Sequence, residues 1–266
     1  RYTLASLRAA QNFVYSPERV VRTVREEEKG VVISAYAPGA REQSDFLYRA
    51  KAVILAAGAI NTTRILLQSS VGFGIKVPLL AKTHVLVPCL GMPFRSLGKR
   101  KSHSLCQLIM EDTRRCDGLP GFFAQLYSYE SLLLFRLAKF IPFPAPEALR
   151  LASLMSPVLI IADVRFPSRV HPDNHAFLER SRDGSTTMVF SGRGSGEEAA
   201  EHTGDMWRLK RALRKLGLVP LRTVVPPQGS TSHYASGAPH APFGAYPLTT
   251  DAEGRVRPGK RIYVAD

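Results

Sequence analysis

Cysteine is scarce in this sequence. Three residues, Cys89, Cys106 and Cys116, occur in a chain of 266. Their number is odd and no pair has C-x-x-C spacing, which argues against a disulfide framework and against a zinc site. We therefore predict free, partly buried thiols and no metal. Because such thiols are typical of a reducing compartment, a cytoplasmic location is favoured.

Long hydrophobic runs are also lacking. No apolar run reaches the roughly 18 residues that a membrane-spanning helix needs. The nearest candidate, residues 140–162, contains Glu147, Arg150 and four prolines. The chain begins at Arg1 and stops directly after the apolar run 261–265, so we expect it to be part of a longer reading frame.

Acidic residues are in deficit. Asp and Glu number 22 against 36 Lys and Arg, which gives a net charge of +14. The basic clusters at 95–101 and 208–215 lack interleaved aromatic residues, although Trp207 adjoins the second. We interpret both as solvated surfaces and predict no nucleic-acid partner. The apolar segment 132–140 could touch a membrane surface, but burial in the protein is favoured.

What is present is a globular composition with 45% hydrophobic residues. Hydrophobic spacing predicts a helix over 2–12, strands over 20–24 and 30–36, and a polar hairpin tip between these strands. The run 52–57 is nearly all apolar, as expected of a strand buried on both faces. Gly58 ends this run, and helical spacing follows over 62–69. A strand, a glycine turn and a helix form an α/β unit.

The middle of the chain has a different pattern. Short strand-like segments alternate with turns rich in Gly, Pro and Asp, at 85–88, 104–110, 121–128, 157–166, 176–180 and 186–190. Helical stretches are predicted at 131–140 and 197–216. This pattern favours an antiparallel sheet with helices on one side, an α+β layer. From 226 the chain is rich in loops until the predicted strand 261–265.

Two segments together resemble the glucose-methanol-choline (GMC) family of flavin oxidoreductases. The first is AVILAAGAINTTRILLQSSVG at 52–72, which is similar to the second signature of that family. Thr63 stands where Pro or Ser is usual, and Ser70 where Gly is usual. The second is GSTSHYASGAP at 229–239, followed by DAEGRV at 251–256 and YVAD at 263–266. It resembles the C-terminal block of the family, with Ser236-Gly237 in place of Gly-Thr.

The resemblance implies a fold and a domain order. The fold class is α/β plus α+β: part of an FAD-binding Rossmann-like domain with an inserted antiparallel-sheet substrate domain. Residues 1–80 would belong to the FAD domain, 81–225 to the substrate domain, and 226–266 to a return to the FAD domain that carries the active-site loop. The dinucleotide fingerprint of the family would precede Arg1 and its second catalytic residue would follow Asp266. This piece alone would therefore be inactive.

The resemblance also implies site residues. His233 corresponds to the proton acceptor, and the turn Ala57, Gly58 and Ala59 to main-chain contacts beside the flavin. Val21 corresponds to the position whose main chain meets the adenine. Asp266 corresponds to the aspartate whose backbone lies by the cofactor pyrophosphate. For each residue a plain structural role remains the alternative: a loop histidine, a strand-to-helix turn, a core valine and a strand-terminating aspartate.

The implied function is FAD-dependent oxidation of an alcohol or sugar hydroxyl. A neutral imidazole can take the hydroxyl proton near neutral pH while FAD accepts the hydride. The substrate, the electron acceptor and the oligomeric state are left open. The alternatives are a flavin-fold lyase or binding protein without redox turnover, and a basic protein that binds nucleic acid or a membrane surface.

Two further motifs are interpreted structurally. The segment 192–196 is rich in glycine and precedes a helix, as a phosphate loop does, but Glu197 and Glu198 in the first turn would repel phosphate. We interpret it as a helix start. His171 and His175 are four residues apart, but Pro172 and the polar residues after it predict a turn and no metal site.

Overall fold

The computed structural model describes residues 2–39, 46–81, 84–91, 106, 108–116, 119–128, 138–139, 141–155, 158–227, 233–235 and 237–266. Contacts between Cα atoms divide the chain into two compact units. Unit 1 comprises Arg1–Leu79, Val170–Ser191 and Ala235–Asp266, and unit 2 comprises Leu80–Arg169 and Gly192–Tyr234. These units are defined by contacts alone, so the domain boundaries proposed from the resemblance stay predictions.

The described residues form five α-helices and seventeen strands. The helices are α1 Tyr2–Arg8, α2 Ala59–Leu66, α3 Ala145–Met155, α4 Ser195–Glu201 and α5 Thr203–Lys215. The strands are β1 Val20–Glu27, β2 Gly30–Tyr36, β3 Phe46–Ala50, β4 Val53–Leu55, β5 Val77–Pro78, β6 Leu80–Ala81, β7 His84–Gly91, β8 Leu108–Glu111, β9 Arg115–Cys116, β10 Leu119–Pro120, β11 Phe123–Ser128, β12 Leu159–Arg165, β13 His175–Arg180, β14 Thr186–Ser191, β15 Leu218–Pro220, β16 Tyr234–Ala235 and β17 Ile262–Val264.

Unit 1 opens with the predicted hairpin. Strands β1, β2 and β3 form an antiparallel sheet in that order, and Glu27 pairs with Gly30 across the turn. Gly30 packs closely on β3, because a Cβ added there would lie 2.5 Å from the Ala50 carbonyl oxygen. The apolar side chains Val24, Val31 and Ala35 are buried. The hairpin prediction is confirmed, whereas the first helix ends at Arg8 and not at residue 12.

The burial predicted for the strand at 52–57 is wrong. Strand β4 spans only Val53–Leu55, and the side chain of Ile54 is 70% exposed. Among the described residues β4 pairs with a single strand, β17, which runs parallel to it. One face of β4 therefore lacks the cover that a strand inside a parallel sheet receives on both faces.

A second correction concerns the strands of the middle segment. Strands β13 and β14 do not join the large antiparallel sheet. They form a hairpin within unit 1, and β13 also pairs with β5. Periodicity predicts that a segment is a strand, but it does not determine which partner that strand finds, because pairing depends on distant residues.

Unit 2 contains the large sheet. Its five antiparallel strands lie in the order β15, β7, β12, β11, β8. Helix α5 packs its buried Leu209 and Leu213 on one face of this sheet. The core there is formed by those leucines with Val85, Val87, Cys89, Phe122, Ala124, Leu126, Ala162, Val164, Phe166 and Leu218. The predicted sheet with a helix on one side is thus present in unit 2.

The helices of unit 2 differ from the prediction in two respects. The helix predicted over 197–216 is two helices, α4 and α5, with His202 between them in a non-helical conformation. Helix α3 was not predicted, because Pro144 and Pro146 obscure its start. Of the helix predicted at 131–140, only residues 138–139 lie within the described residues.

The coarse fold class is confirmed. The described residues combine α-helices with antiparallel sheets and the parallel strand pair β4–β17. Across the ranges given above, every helix falls short of the length and apolar character that crossing a bilayer requires.

Candidate functional site

The candidate site of unit 1 lies where two parallel strands end. Strands β4 and β17 pair in register, with Val53 opposite Ile262 and Leu55 opposite Val264. The Ala265 amide donates to the Leu55 carbonyl at 2.9 Å and extends the pairing by one step. The carboxyl ends of both strands therefore meet at one edge, so that Asp266 lies beside the bend at Gly58, more than 200 residues away in sequence.

Gly58 is placed at the start of α2 in a conformation that favours glycine. Its φ is +82° and its ψ is 143°. Its carbonyl oxygen accepts the first helical hydrogen bond, from the Thr62 amide at 2.9 Å. A Cβ added at Gly58 would meet no atom within 4 Å. The bend therefore exposes bare main chain to open space, which is the property that a closely approaching ligand needs.

The Asp266 carboxylate closes the bend. Its Oδ1 accepts the Gly58 amide hydrogen at 2.9 Å, and its Oδ2 accepts the Thr62 hydroxyl hydrogen. The same hydroxyl oxygen accepts the Ala57 amide hydrogen at 3.2 Å. A negative charge at a helix N-terminus is stabilising, and amides there need acceptors. Asp266 thus serves α2 as a cap supplied from a distant strand.

A small cleft of about 40 Å³ opens beside this cap. One wall is α2, and the other walls come from β17 and from the loop after Gly237; the lining residues are Ala59, Thr62, Thr63, Leu66, Gly237, Ala238, Val264 and Asp266. Gly237 presses against the helix, because an added Cβ would lie 1.6 Å from Thr63 Oγ1. The Thr63 hydroxyl donates to the Ala59 carbonyl at 2.6 Å.

Val21 is linked to α2 through Arg64. Its carbonyl oxygen accepts a hydrogen bond from Arg64 Nη2 at 3.1 Å. The β1–β2 register shifts between Val21 and Thr23, so the strand is irregular at this point. Its side chain is partly buried. The two predicted alternatives, a core valine and a main-chain contact to adenine, are both compatible with this position.

The five predicted cofactor contacts share unit 1. The three residues of the bend and Asp266 lie together, and Val21 is linked to the same helix through Arg64. Sequence reasoning missed the carboxylate of Asp266 and the hydroxyl of Thr62 as a hydrogen-bonded pair. The spacing of Thr62 from Gly58, one helical turn, places Thr62 near the bend but gives no signal for its pairing with Asp266.

His233 belongs to unit 2, directly before β16, and its side chain is exposed. The predicted proximity of His233 to the Gly58 bend stays a prediction. Of the serine-rich loop that carries it, residues 229–232 and Ser236 lie outside the described residues.

Both motifs interpreted as structural have the predicted local conformation, a helix start and a turn. Helix α4 begins after Gly194, with Glu197 and Glu198 in its first turn, and Arg193 pairs with Glu197 and Glu201. The residues after His171 form a turn, in which Nδ1 of His171 accepts the Asp173 amide hydrogen at 3.2 Å. In the described ranges, His, Cys, Asp and Glu side chains form no group of three or more that could hold a metal.

Comparisons with known proteins do not assign this chain to a family. A scan against models of protein families finds no match, and a search of curated proteins finds no relative. The resemblance to the GMC family therefore stays a hypothesis, and any function rests on the residues of the site.

Proposed function

We propose that this chain is part of a flavin-dependent oxidoreductase of the GMC kind that oxidises an alcohol or sugar hydroxyl. One observation carries the proposal: a bare glycine bend opens a helix where two parallel strands end, and Asp266 is locked beside it. Ligands of open α/β sheets characteristically bind outside the carboxyl ends of the strands. The Rossmann-like identity of unit 1 is part of this proposal.

The residues at the bend fit an uncharged edge of the cofactor better than a phosphate. The Asp266 carboxylate already accepts the Gly58 amide hydrogen, and its negative charge would repel a phosphate at that amide. The open main chain of Ala57, Gly58 and Ala59 would instead hold a neutral ring edge. Two further main-chain contacts complete the proposed FAD site: Asp266 with the pyrophosphate and Val21 with the adenine.

In the proposed reaction, the cofactor and the chain have separate roles. FAD supplies the hydride acceptor when it is bound. The role proposed for His233 is to take the hydroxyl proton through its imidazole, which is exposed and thus open to a substrate.

Purification of the protein encoded by the complete reading frame tests cofactor binding. We expect a yellow protein that releases FAD on denaturation and is bleached anaerobically by some member of a panel of alcohols and sugars. A colourless protein that gains no FAD on incubation would refute the proposal. A yellow protein that no hydroxyl compound reduces would favour the alternative, a flavin-fold protein without redox turnover.

Gly58→Val tests the bend, with Gly184→Val as a matched control. Both glycines have nearly the same φ, +82° and +81°, and an added Cβ would meet nothing at either position. The backbone strain of the two substitutions is therefore similar, whereas only Gly58 is proposed to contact FAD. We expect weaker FAD affinity for Gly58→Val alone. Equal affinities in the two variants would remove the bend from the cofactor site.

His233→Ala tests the proton acceptor. We expect flavin reduction by substrate to slow by about 10²–10⁴-fold while FAD stays bound. His171→Ala, at a partly exposed histidine of unit 1, is the control and should reduce at the wild-type rate. If His233→Ala also reduces at the wild-type rate, the proposed base role is wrong.

A further inference from the structure

Helix α5 presents a face that neither the core nor the proposed site uses. Leu209 and Leu213 turn inward and are fully buried, so the opposite side of the helix faces solvent. The exposed residues at positions 207, 211, 214 and 215 fall within about 100° of one another on a helix of 3.6 residues per turn. We call this set the Trp207 face; its members are Trp207, Arg211, Arg214 and Lys215.

Trp207 is the only tryptophan of the chain, and it is 61% exposed. The Arg211 guanidinium carbon lies 5.5 Å from the centre of its ring, within the range of a cation–π contact. An aromatic side chain of this size usually contributes to a core or to an interface. Its position among cations on a solvated face therefore needs a reason beyond folding.

The charge on this face is one-sided. No ion pair joins Arg211, Arg214 or Lys215 to an acidic side chain of the described residues. The acidic residue of α5, Asp205, points elsewhere and pairs with Arg208 and His202. On α4, Glu197 and Glu201 are engaged by Arg193. Three positive charges are thus left to attract an anionic surface.

We propose that the Trp207 face binds an anionic phospholipid surface peripherally. Indole side chains favour the interface between lipid and water, and lysine and arginine beside them are drawn to anionic headgroups. The face offers one aromatic ring, which Arg211 already covers in part, so it lacks the row of open stacking platforms typical of single-stranded nucleic-acid sites. With three cations and no lipid chain, the binding should be reversible and sensitive to salt.

The single tryptophan makes the test direct, because intrinsic fluorescence with selective excitation reports this face alone. Vesicles of equal parts phosphatidylglycerol and phosphatidylcholine should shift the emission to the blue, and added salt should reverse the shift. Vesicles of pure phosphatidylcholine should have little effect. An unchanged emission together with no co-sedimentation with anionic vesicles would overturn the proposal.

Charge variants locate the binding. Arg211→Ala/Arg214→Ala should weaken co-sedimentation by roughly 25-fold, taking about fivefold for each cation near the surface. Lys76→Ala/Arg182→Ala removes the same charge from exposed positions of unit 1 and should co-sediment like the wild type. If both pairs weaken binding equally, only the net charge of +14 is responsible and the proposed face is wrong.

Nucleic acid is the alternative partner, and the same fluorescence measurement tests it. Under the same conditions a single-stranded oligothymidylate should leave the fluorescence unquenched. Quenching that exceeds the effect of anionic vesicles, and that the same arginine pair abolishes, would assign the face to nucleic acid and overturn the lipid proposal.

Discussion

Strands β4 and β7 are both apolar and both belong to a sheet, yet the side chains of β7 are buried and the central side chain of β4 is exposed. In β7 the five residues from Val85 to Cys89 are all buried, whereas Ile54 at the centre of β4 is 70% exposed. Strand β7 has a partner on each edge, β15 and β12, and the side chains of α5 on one face. Among the described residues, β4 has only β17 beside it.

The difference shows that two kinds of interaction maintain the two regions. Around β7, burial of aliphatic side chains supplies the stability, at about 25 cal/mol per Å² of apolar surface. At the end of β4, the amides of Ala57 and Gly58 donate hydrogen bonds to a hydroxyl and to a carboxylate, and these bonds hold the bend in place. A core of packed side chains resists change, whereas a bend fixed by a few polar groups leaves main chain open to a ligand.

The largest effect is expected in the core under β7. Leu213→Ala removes a fully buried side chain and should lower the free energy of unfolding by about 2–5 kcal/mol. Leu154→Ala in α3, where the leucine is 78% exposed, is the matched control and should change it by less than about 0.5 kcal/mol. Denaturant titrations of both variants measure the contrast. Equal losses would mean that burial does not distinguish the two positions.

A smaller loss is expected where Gly237 touches α2. Gly237→Ala would place a methyl group 1.6 Å from Thr63 Oγ1, and should cost about 1–3 kcal/mol as the loop moves away. Thr63→Ala in the same chain should recover part of the loss. Gly196→Ala in α4 meets no atom within 4 Å and should leave stability unchanged or raise it. If Gly237→Ala leaves the stability unchanged and Thr63→Ala has no effect on it, the contact between Gly237 and Thr63 is not tightly packed.

Removal of the cap at the bend should cost less again. Asp266→Ala leaves the Gly58 amide without its acceptor and should lower the free energy of unfolding by about 0.5–2 kcal/mol. Because Thr62→Val removes the other end of the same network, the double variant should lose less than the sum of the two single variants. Additive losses would indicate that the two side chains act independently.

The smallest effect concerns pH, at Asp112 in unit 2. Burial alone would raise the pKa of this carboxyl, but hydrogen bonds from Arg114 and Arg208 outweigh burial and hold the pKa below its ordinary value. Stability from this pairing is therefore present above the unfolded pKa of about 3.9 and is lost as the pH falls through the lower folded pKa.

Asp112→Asn should remove that part of the pH dependence. The difference in slope cannot exceed about 1.4 kcal/mol per pH unit, the value for one proton. Unfolding free energies measured at a series of acidic pH values for both proteins test this. Curves that stay parallel from neutral to acidic pH would show that the arginine pairing has no influence on folding.

The hairpin β1–β2 could be predicted because its information is local. Alternating apolar residues define both strands, and the polar run before Gly30 defines the turn. The same holds for β7, β11, β12, β13 and β14, each of which overlaps a predicted segment. By contrast, the break at His202 depends on a tertiary contact, since its ring stacks on Phe166 at 4.1 Å.

The candidate site was predictable only in part. Gly58 after an apolar run indicates a bend by itself, and the resemblance placed Asp266 near the cofactor. The pairing of the Asp266 carboxylate with Gly58 and Thr62 could not be derived from spacing, because it requires β17 to lie parallel to β4. Likewise, no local pattern indicates that Gly237 must be small to fit against Thr63.

The sequence by itself determined where most strands form, where the chain bends at Gly58 and which side of α5 is apolar, because these follow from backbone freedom and from the period of apolar residues. Only the tertiary structure decided that β4 keeps an exposed face, that β13 and β14 leave the large sheet, and that Asp266 caps a helix some 200 residues earlier. Those outcomes depend on which elements distant in sequence pack together. The free energy of that packing cannot be derived from any local stretch of residues.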